Sequence, residues 1–477
     1  MTEPLQHQQA HVTQHWEDEH HACFWEMGTG KTFANLLVAE WLYLNDRVTT
    51  LLVTAPNGVH LEWADQAAEH LTVGHQCLAW SSYELKDQRR GREQMLKASG
   101  NLKIVTLNVD ALAGLTAKGT VFVARLLKAE RVLWVMDESY VIKNPKAGRT
   151  KAIHKLAPYA RYRRVLSGAP ILERPFDVWA QAQFLQQGLL GASYFRFTRR
   201  YAEWQRVHFG QRSFLQVKEY QHLDELRERL LEFSTFVKKK DCLDLPEKTY
   251  REVPVELTPA QWRAYNELRD LMATWLADGT EVTAKNQMDR LHKFHGVTMG
   301  YLKVEEDHGR ALYKQLETNR PRVLLNVLEE IGDEKVIIWC NHVAALKDVA
   351  KQLVVRYGGS STALYYGAID EETRHKLRKE FQEGHELRYL VINQSVGARG
   401  LNLTAASKVI YYANSYKLEE RVQSEDRCHR IGQTEHVEYI DLVARGTTDE
   451  RVLKALKRKV DVANEVLGGH LRLEQWV

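Results

Sequence analysis

Gly28, Gly30, Lys31 and Thr32, within Trp25-Glu26-Met27-Gly28-Thr29-Gly30-Lys31-Thr32, are residue types at a spacing that can hold a phosphate chain. The glycines let backbone N–H groups turn into one concavity and add no side-chain bulk. A helix starting directly afterwards adds the positive end of its dipole. Lys31 can then reach the outer phosphates as a point charge, and the Thr32 hydroxyl suits a Mg²⁺ ligand. A chance Gly-Lys-Thr turn is the alternative for these eight residues in isolation. A second pair, Asp137-Glu138, ends the apolar run Arg131-Val132-Leu133-Trp134-Val135-Met136. Two buried carboxylates there are costly unless a cation or a water requires them. Asp137 can hold the Mg²⁺ shell, and Glu138 can orient and deprotonate an attacking water. An exposed acidic strand end is the alternative for the pair alone, and the phosphate loop upstream weighs against it.

Positioning these groups takes particular elements. Ala22-Cys23-Phe24 before the loop and Phe33 to Leu44 after it read as strand, glycine loop, helix. Thr50 to Pro56, Ile104 to Leu107, Arg131 to Met136 and Arg164 to Leu166 read as further buried strands. The carboxyl ends of such strands are where doubly wound sheets bind ligands. Leu5-Gln6-His7-Gln8 opens a polar helix, in which Gln8 is either an amide for an adenine edge or a solvated helix residue. Ser167-Gly168-Ala169-Pro170 is either a hinge or a plain turn.

From Phe184 to about Lys240 the text reads as helical, basic and aromatic. Arg196, Arg199 and Arg200 interleave with Phe195, Phe197, Tyr201 and Trp204, a pattern that can grip phosphates and stack on bases. A helical insertion with aromatic core and solvated arginines explains it equally well. Lys238-Lys239-Lys240-Asp241 then leads to Leu245-Pro246, a crossing between domains. Thr258-Pro259 starts a helix, and helical text runs to about Leu328. A second strand series follows at Lys335–Trp339, Leu364–Gly367, Tyr389–Ile392 and Val409–Tyr412, with no phosphate loop of its own. Gly397 to Leu403 is a loop at a strand end. On a helix, Gln423, Arg427 and Arg430 would share one face. An arginine there can neutralise a γ-phosphate in the transition state, or the segment is a salt-bridged surface helix.

The bulk numbers fit this picture. A chain of 477 residues exceeds one core and predicts two or three units. Hydrophobic content of 44% with 27% charged residues is that of a soluble globular chain. No run approaches about 18 apolar residues, which predicts no membrane span. Met1-Thr2-Glu3-Pro4 lacks a basic and then apolar leader, so the expectation is a protein that stays in the cytoplasm. Five scattered cysteines with no Cys-x-x-Cys pair argue against a zinc site and a disulfide framework. A net charge of +4 is too small to decide on a polyanionic partner.

In the order and type of these segments the sequence resembles the Swi/Snf-type ATP-dependent DNA translocases of helicase superfamily two. Glu26 to Thr32 is similar to their motif I. Asp137-Glu138-Ser139-Tyr140 with Ile142-Lys143-Asn144-Pro145 is similar to motif II, and Leu166 to Pro170 with Trp179 and Phe184-Leu185 to motif III. Lys239 to Thr249 resembles the family connector, Gly397 to Leu403 motif V, and Gln423 to Gln433, ending Arg-Ile-Gly-Gln, motif VI. Departures stand at Ser139, Tyr140, Ser167, Ala169 and Ala398.

The resemblance implies an α/β fold of two RecA-like parallel-sheet lobes, residues 1–240 and 241–477, with helical insertions at about 186–240 and 258–328. It implies ATP and Mg²⁺ held by Gln8, Gly28, Thr29, Gly30, Lys31, Thr32 and Asp137, with the metal on Thr32 and Asp137. Glu138, Gln423, Arg427 and Arg430 would serve hydrolysis. DNA would lie near Thr106, Arg196, Arg199, Arg200, Asn341 and Ser395. The expected activity is ATP-driven movement on duplex or branched DNA, with fork or junction remodelling as its use, by a monomer that works with replication or recombination proteins. An RNA helicase and an ATP-switched DNA-binding protein that does not move are the alternatives.

Overall fold

A computed structural model describes residues 3–81, 93, 100–209, 212–277, 284–305, 311–397 and 401–468. The chain forms two compact units. One is built mainly on residues up to Trp204 and on Val217–Asp244, the other mainly on Leu245–Val460; residues 205–216 group with the second and 461–468 with the first. The boundary expected after residue 240 falls after Asp244. The short helix Lys239–Cys242 belongs to the first unit, because the Lys239 amide donates to Glu26 Oε2 at 2.6 Å. The carboxyl-terminal stretch expected to complete the second lobe divides likewise, its end grouping with the first unit.

In the first unit the strands are β1 (His20–Trp25), β2 (Thr50–Ala55), β3 (His75–Ala79), β4 (Leu102–Asn108), β5 (Val132–Met136) and β6 (Tyr162–Leu166), of which β2 and β5 are fully buried and β3 is the most exposed. A two-stranded ribbon, β7 (Ala202–Phe209) and β8 (Arg212–Tyr220), precedes β9 (Ser234–Val237). Among the described residues the sheet has seven strands in the order β3-β4-β2-β5-β6-β1-β9, and every pairing is parallel. β2 and β5 are buried along their whole length, as expected where both faces of a parallel sheet are covered. The covering helices include α1 (Gln6–His15), α2 (Lys31–Leu44) and α3 (Val59–His70). From α2, Leu36, Val38, Ala39 and Leu42 pack with Trp25, Trp63 and Leu133 in one core.

The insertion at 186–240 is not helical throughout. It holds the helices Tyr194–Arg200 and Leu223–Leu231, but β7 and β8 lie between them, and β9 joins the main sheet on the free side of β1. Aromatic and β-branched residues alternate with charged ones in β7 and β8, and this favours strand over helix. Phe176 seals the ribbon base, its ring 6.1 Å from that of Trp204 and 5.7 Å from that of Tyr220.

In the second unit, β10 (Lys248–Val255), β11 (Tyr301–Glu305), β12 (Ala311–Gln315), β13 (Val336–Cys340), β14 (Thr362–Tyr365), β15 (Tyr389–Asn393), β16 (Lys408–Tyr411) and β17 (Val437–Ala444) are the described strands. Six form a parallel sheet in the order β10-β17-β16-β13-β15-β14. The region 258–328, expected as helical, contains the helices Pro259–Ala277 and Ala284–Thr298 and then the antiparallel hairpin β11–β12. Gly300, at φ +90°, ends the helical text, and a Cβ there would stand 2.7 Å from the Thr318 side chain. Both units are therefore parallel-sheet α/β structures. Among the described residues no helix is long and apolar enough to cross a membrane.

Candidate ATP-hydrolysis site

The phosphate loop leaves β1 at Trp25 and enters α2 at Lys31. Gly28 and Gly30 both have φ near +80°, a left-handed conformation that a side chain disfavours. Gly30 caps α2, so the first amides of the helix face the loop. Thr29 donates its hydroxyl to the Glu26 carbonyl at 2.8 Å. The Lys31 ammonium donates to the carbonyls of Trp25 and Glu26 at 2.9 and 3.1 Å. Thr32 is half-buried. A Cβ on Gly168, at the end of β6, would stand 2.6 Å from Met27. The Ser167-Gly168 turn thus lies directly on the phosphate loop.

Gln8 is buried on α1, and its amide is committed locally. Its Nε2 donates to the Thr29 carbonyl at 3.2 Å, and its Oε1 accepts from the Leu5 amide at 2.8 Å. His7 Nε2 also lies 2.8 Å from the Thr29 carbonyl. The structure gives Gln8 a loop-holding task; adenine recognition by the same amide requires exchanging these bonds. Beside it lies a cavity of about 720 Å³ lined by Leu5, His7, Ala10, Lys240, Asp241 and Leu243, among others.

Asp137 and Glu138 follow β5, which neighbours β6 in the sheet. Asp137 is buried, and burial pushes its carboxyl upward against the opposing effects of Trp63, Lys31 and the Glu138 amide. Its Oδ2 accepts from Trp63 Nε1 at 2.9 Å and its Oδ1 from the Glu138 amide at 2.9 Å. Lys31 and Asp137 are therefore within electrostatic reach of each other. Glu138 takes φ +48°, ψ +54°, a left-handed backbone that costs of order 1–3 kcal/mol outside glycine and collects at functional sites. The hydroxyl of Ser139 donates to Gln181 Oε1 at 2.6 Å, and Gln181 Nε2 donates to the Pro170 carbonyl at 2.8 Å. One buried amide thus joins the acidic pair to the turn after β6.

In the second unit the helix Leu418–Glu425 stops before Arg427, so the helical face expected through Gln423, Arg427 and Arg430 does not form. The chain tightens into i−3 bonds, Arg427 N to the Ser424 carbonyl and Cys428 N to that of Glu425, because Cys428 must enter the core. The two arginine side chains nevertheless converge. Arg427 Nε donates to the Gln423 carbonyl at 3.0 Å. Arg427 Nη1 and Arg430 Nη1 each donate to the Leu401 carbonyl at 3.2 Å. Arg421, fully buried, bonds Glu425 of its own helix (2.8 Å) and ties that helix to Asn414, after β16 (2.7 Å), and to Asp441 of β17 (2.5 Å). Gln433 is a plug: its Nε2 donates to the carbonyls of Thr404 and Ala406 at 3.2 and 3.1 Å.

The residues expected near DNA divide. Thr106 lies inside β4, 1% exposed, so its hydroxyl does not face a surface; the strand run Ile104–Leu107 extends further than the sequence indicated, to Asn108. Asn341 and Ser395 follow adjacent strand ends, since Cys340 pairs with Asn393. Ser395 donates to Asn393 Oδ1 at 2.6 Å, and Asn341 donates to the Asn414 carbonyl at 3.0 Å. Arg200 is paired with Glu225. Arg199 lies over the exposed Phe195 ring at 5.3 Å, and Arg196 is exposed. Ala398, Arg399 and Gly400 of the motif V resemblance lie outside the described residues. Trp63, Glu26 and Gln181 carry supporting roles that the sequence reading did not assign. A buried tryptophan N–H needs an acceptor, and that was the available signal for Trp63.

Comparison with known proteins gives two matched regions: an SNF2-related domain over residues 6–306 and a helicase conserved C-terminal domain over residues 319–432. The chain is 27% identical over 395 residues to the TATA-binding protein-associated factor MOT1 of Saccharomyces cerevisiae, covering 72% of this chain and 21% of that protein. It is 23% identical over 454 residues to the DNA annealing helicase and endonuclease ZRANB3 of Mus musculus, covering 93% of this chain and 39% of that protein. The chain therefore spans well under half the length of these relatives. The Sulfolobus solfataricus SWI2/SNF2 ATPase core, solved in complex with dsDNA, aligns with 98% of this chain and 94% of its own at 20% identity and a TM-score of 0.42.

Proposed function

Because the chain belongs to the SNF2-related family of helicase-like, ATP-hydrolysing enzymes, we propose that it couples ATP hydrolysis to movement along duplex or branched DNA. The observation that carries the reading is the phosphate loop itself, with Gly28 and Gly30 in left-handed conformations and Lys31 beside the buried Asp137. Lys31 and the amides that open α2 bind the outer phosphates. The turn at Gly168 and the Ser139–Gln181–Pro170 bridge hold the acidic pair against that loop. Thr32 and Asp137 offer the hard oxygen donors that Mg²⁺ takes, and such an ion would neutralise charge on the phosphates. Glu138 positions the attacking water and accepts its proton. Arg427 and Arg430 supply positive charge to the transition state. The base sits at the cavity beside His7.

The relatives support DNA as the polymer: one is named a DNA annealing helicase, and another a factor associated with a TATA-binding protein. Fork or junction remodelling is the use we favour, in the cytoplasm of a bacterial or phage-infected cell. The test is ATPase stimulation by fork, four-way junction, plain duplex, single-stranded DNA and RNA, with Lys31→Ala as the inactive control. Stimulation by duplex or branched DNA is expected, together with ATP-dependent displacement of a triplex strand. Stimulation by RNA alone, or hydrolysis without displacement, overturns the reading.

A further inference from the structure

Three histidines meet behind the phosphate loop. His11 and His15 stand one helical turn apart on α1, and His21 lies on β1. One ring nitrogen from each lies within 4.8 Å of the others. The His15 and His21 rings stack at 4.0 Å, and the His11 ring is 5.2 and 5.3 Å from them. His11 is 2% exposed, and its Nδ1 has no hydrogen-bond partner. A buried donor or acceptor left unpaired is costly, so the arrangement is unexplained as packing alone.

We propose that His11, His15 and His21 bind a divalent transition metal of the Zn²⁺ class. Imidazole nitrogens suit Zn²⁺, and three neutral histidines on a helix turn and an adjoining strand form a common ligand set. Two nitrogens bound to one Zn²⁺ at about 2.0–2.1 Å lie roughly 3.4 Å apart in a tetrahedron. The present separations, within 4.8 Å, are wider, so an ion would draw the rings together. Asp18 is the orienting carboxylate, its Oδ2 2.8 Å from His15 Nδ1 and 3.4 Å from His21 Nδ1, in the manner of second ligands that fix a metal-bound histidine. It also offsets the adverse charge of buried Arg164, whose Nη2 donates to the His15 carbonyl at 2.9 Å.

The ion would fasten α1 to β1. α1 also carries His7 and Gln8, which hold the Thr29 carbonyl, and β1 feeds the same loop. Fastening these two elements is the role assigned to the ion, with a water completing the fourth tetrahedral position.

The experiment titrates chelator-treated, full-length protein with Zn²⁺ by calorimetry and with Co²⁺ by visible absorption. Wild type is expected to take up a single equivalent, with a Co²⁺ ligand-field band and a raised unfolding temperature. His15→Ala, at a half-exposed position, keeps the fold and is expected to lose affinity about 10- to 100-fold, together with the thermal shift. His11→Gln does the same, whereas His208→Ala, on the exposed ribbon, leaves binding unchanged. No saturable uptake by wild type, or equal uptake by His15→Ala at unchanged secondary structure, overturns the proposal.

Discussion

Glu138 occupies a backbone region that nearly every other residue in the chain avoids, directly after a buried aspartate fixed by a tryptophan. If that constraint serves the attacking water, removal of the carboxylate should affect chemistry more than binding. Glu138→Gln keeps size and backbone cost and is expected to lower turnover by about 10²- to 10⁴-fold at unchanged nucleotide affinity, measured by single-turnover hydrolysis and fluorescent-nucleotide binding. A parallel loss of affinity would assign Glu138 to ground-state binding instead. Arg430→Ala is expected to spare ATP binding and cut the chemical step by about 10³-fold or more; a variant that binds ATP weakly yet hydrolyses what it binds normally would refute the finger role. The identities of these residues were legible in the sequence because their chemistry demands particular side chains. Their supports were less so, since nothing in the type of Trp63 or Gln181 specifies which carboxylate or hydroxyl it meets across more than 40 positions of chain.

The first turn of α2 and the body of α1 form one device. Gly30 is a glycine for two reasons, its φ of +80° and the Gln8 amide, whose Nε2 would stand 1.9 Å from a Cβ. Gly30→Ala is expected to destabilise the first unit by about 1–3 kcal/mol. Gln8→Ala in the same background should return the steric part and leave the backbone part, in a double-mutant cycle read by urea unfolding. Fully additive effects would show that the two residues do not touch in solution. At this scale the sequence was a good guide where one period dominated. β2, β5 and α2 were legible from apolar runs and helical spacing, and α1 was read as a polar helix. β7, β8, β11 and β12 were read as helix, because their arginines, lysines and aromatics suit either element and only the cross-strand partner decides. β17 is buried along most of its length yet was passed over, since Asp441 interrupts the apolar run; that aspartate is there to hold Arg421. The helix drawn through Arg430 stopped at Glu425 for a similar reason, the burial of Cys428.

Across the whole molecule, stability against acid follows from buried imidazoles. In the second unit His295 is pushed down to about 4 by burial and by Arg320 and His292, with Asp449 opposing, and His342 is pushed down to about 3 by burial and by His295 and His292. Both folded values lie below the roughly 6.5 of an unfolded histidine. The unfolded chain therefore binds more protons between those limits. The stability contributed by the neutral forms is fully present above about pH 6.5 and is lost as pH falls toward 4, by about 1.4 kcal/mol per pH unit for each group. Urea unfolding between pH 4.5 and 7 is expected to show this slope, and His295→Gln to flatten it. An unchanged slope in the variant would mean that His295 is protonated in the native state.

β9 completes the first sheet from the far side of a long excursion, entering beside β1 only after the ribbon has been made. During synthesis, a nascent chain that has emerged only as far as Arg200 carries the strand that feeds the phosphate loop with one flank bare. Exposed strand edges invite pairing with foreign chains. Fragments ending between Arg200 and Val237 should accordingly be sticky, while the same chain extended past Lys239 gains a closed flank and a tether to Glu26 in one step.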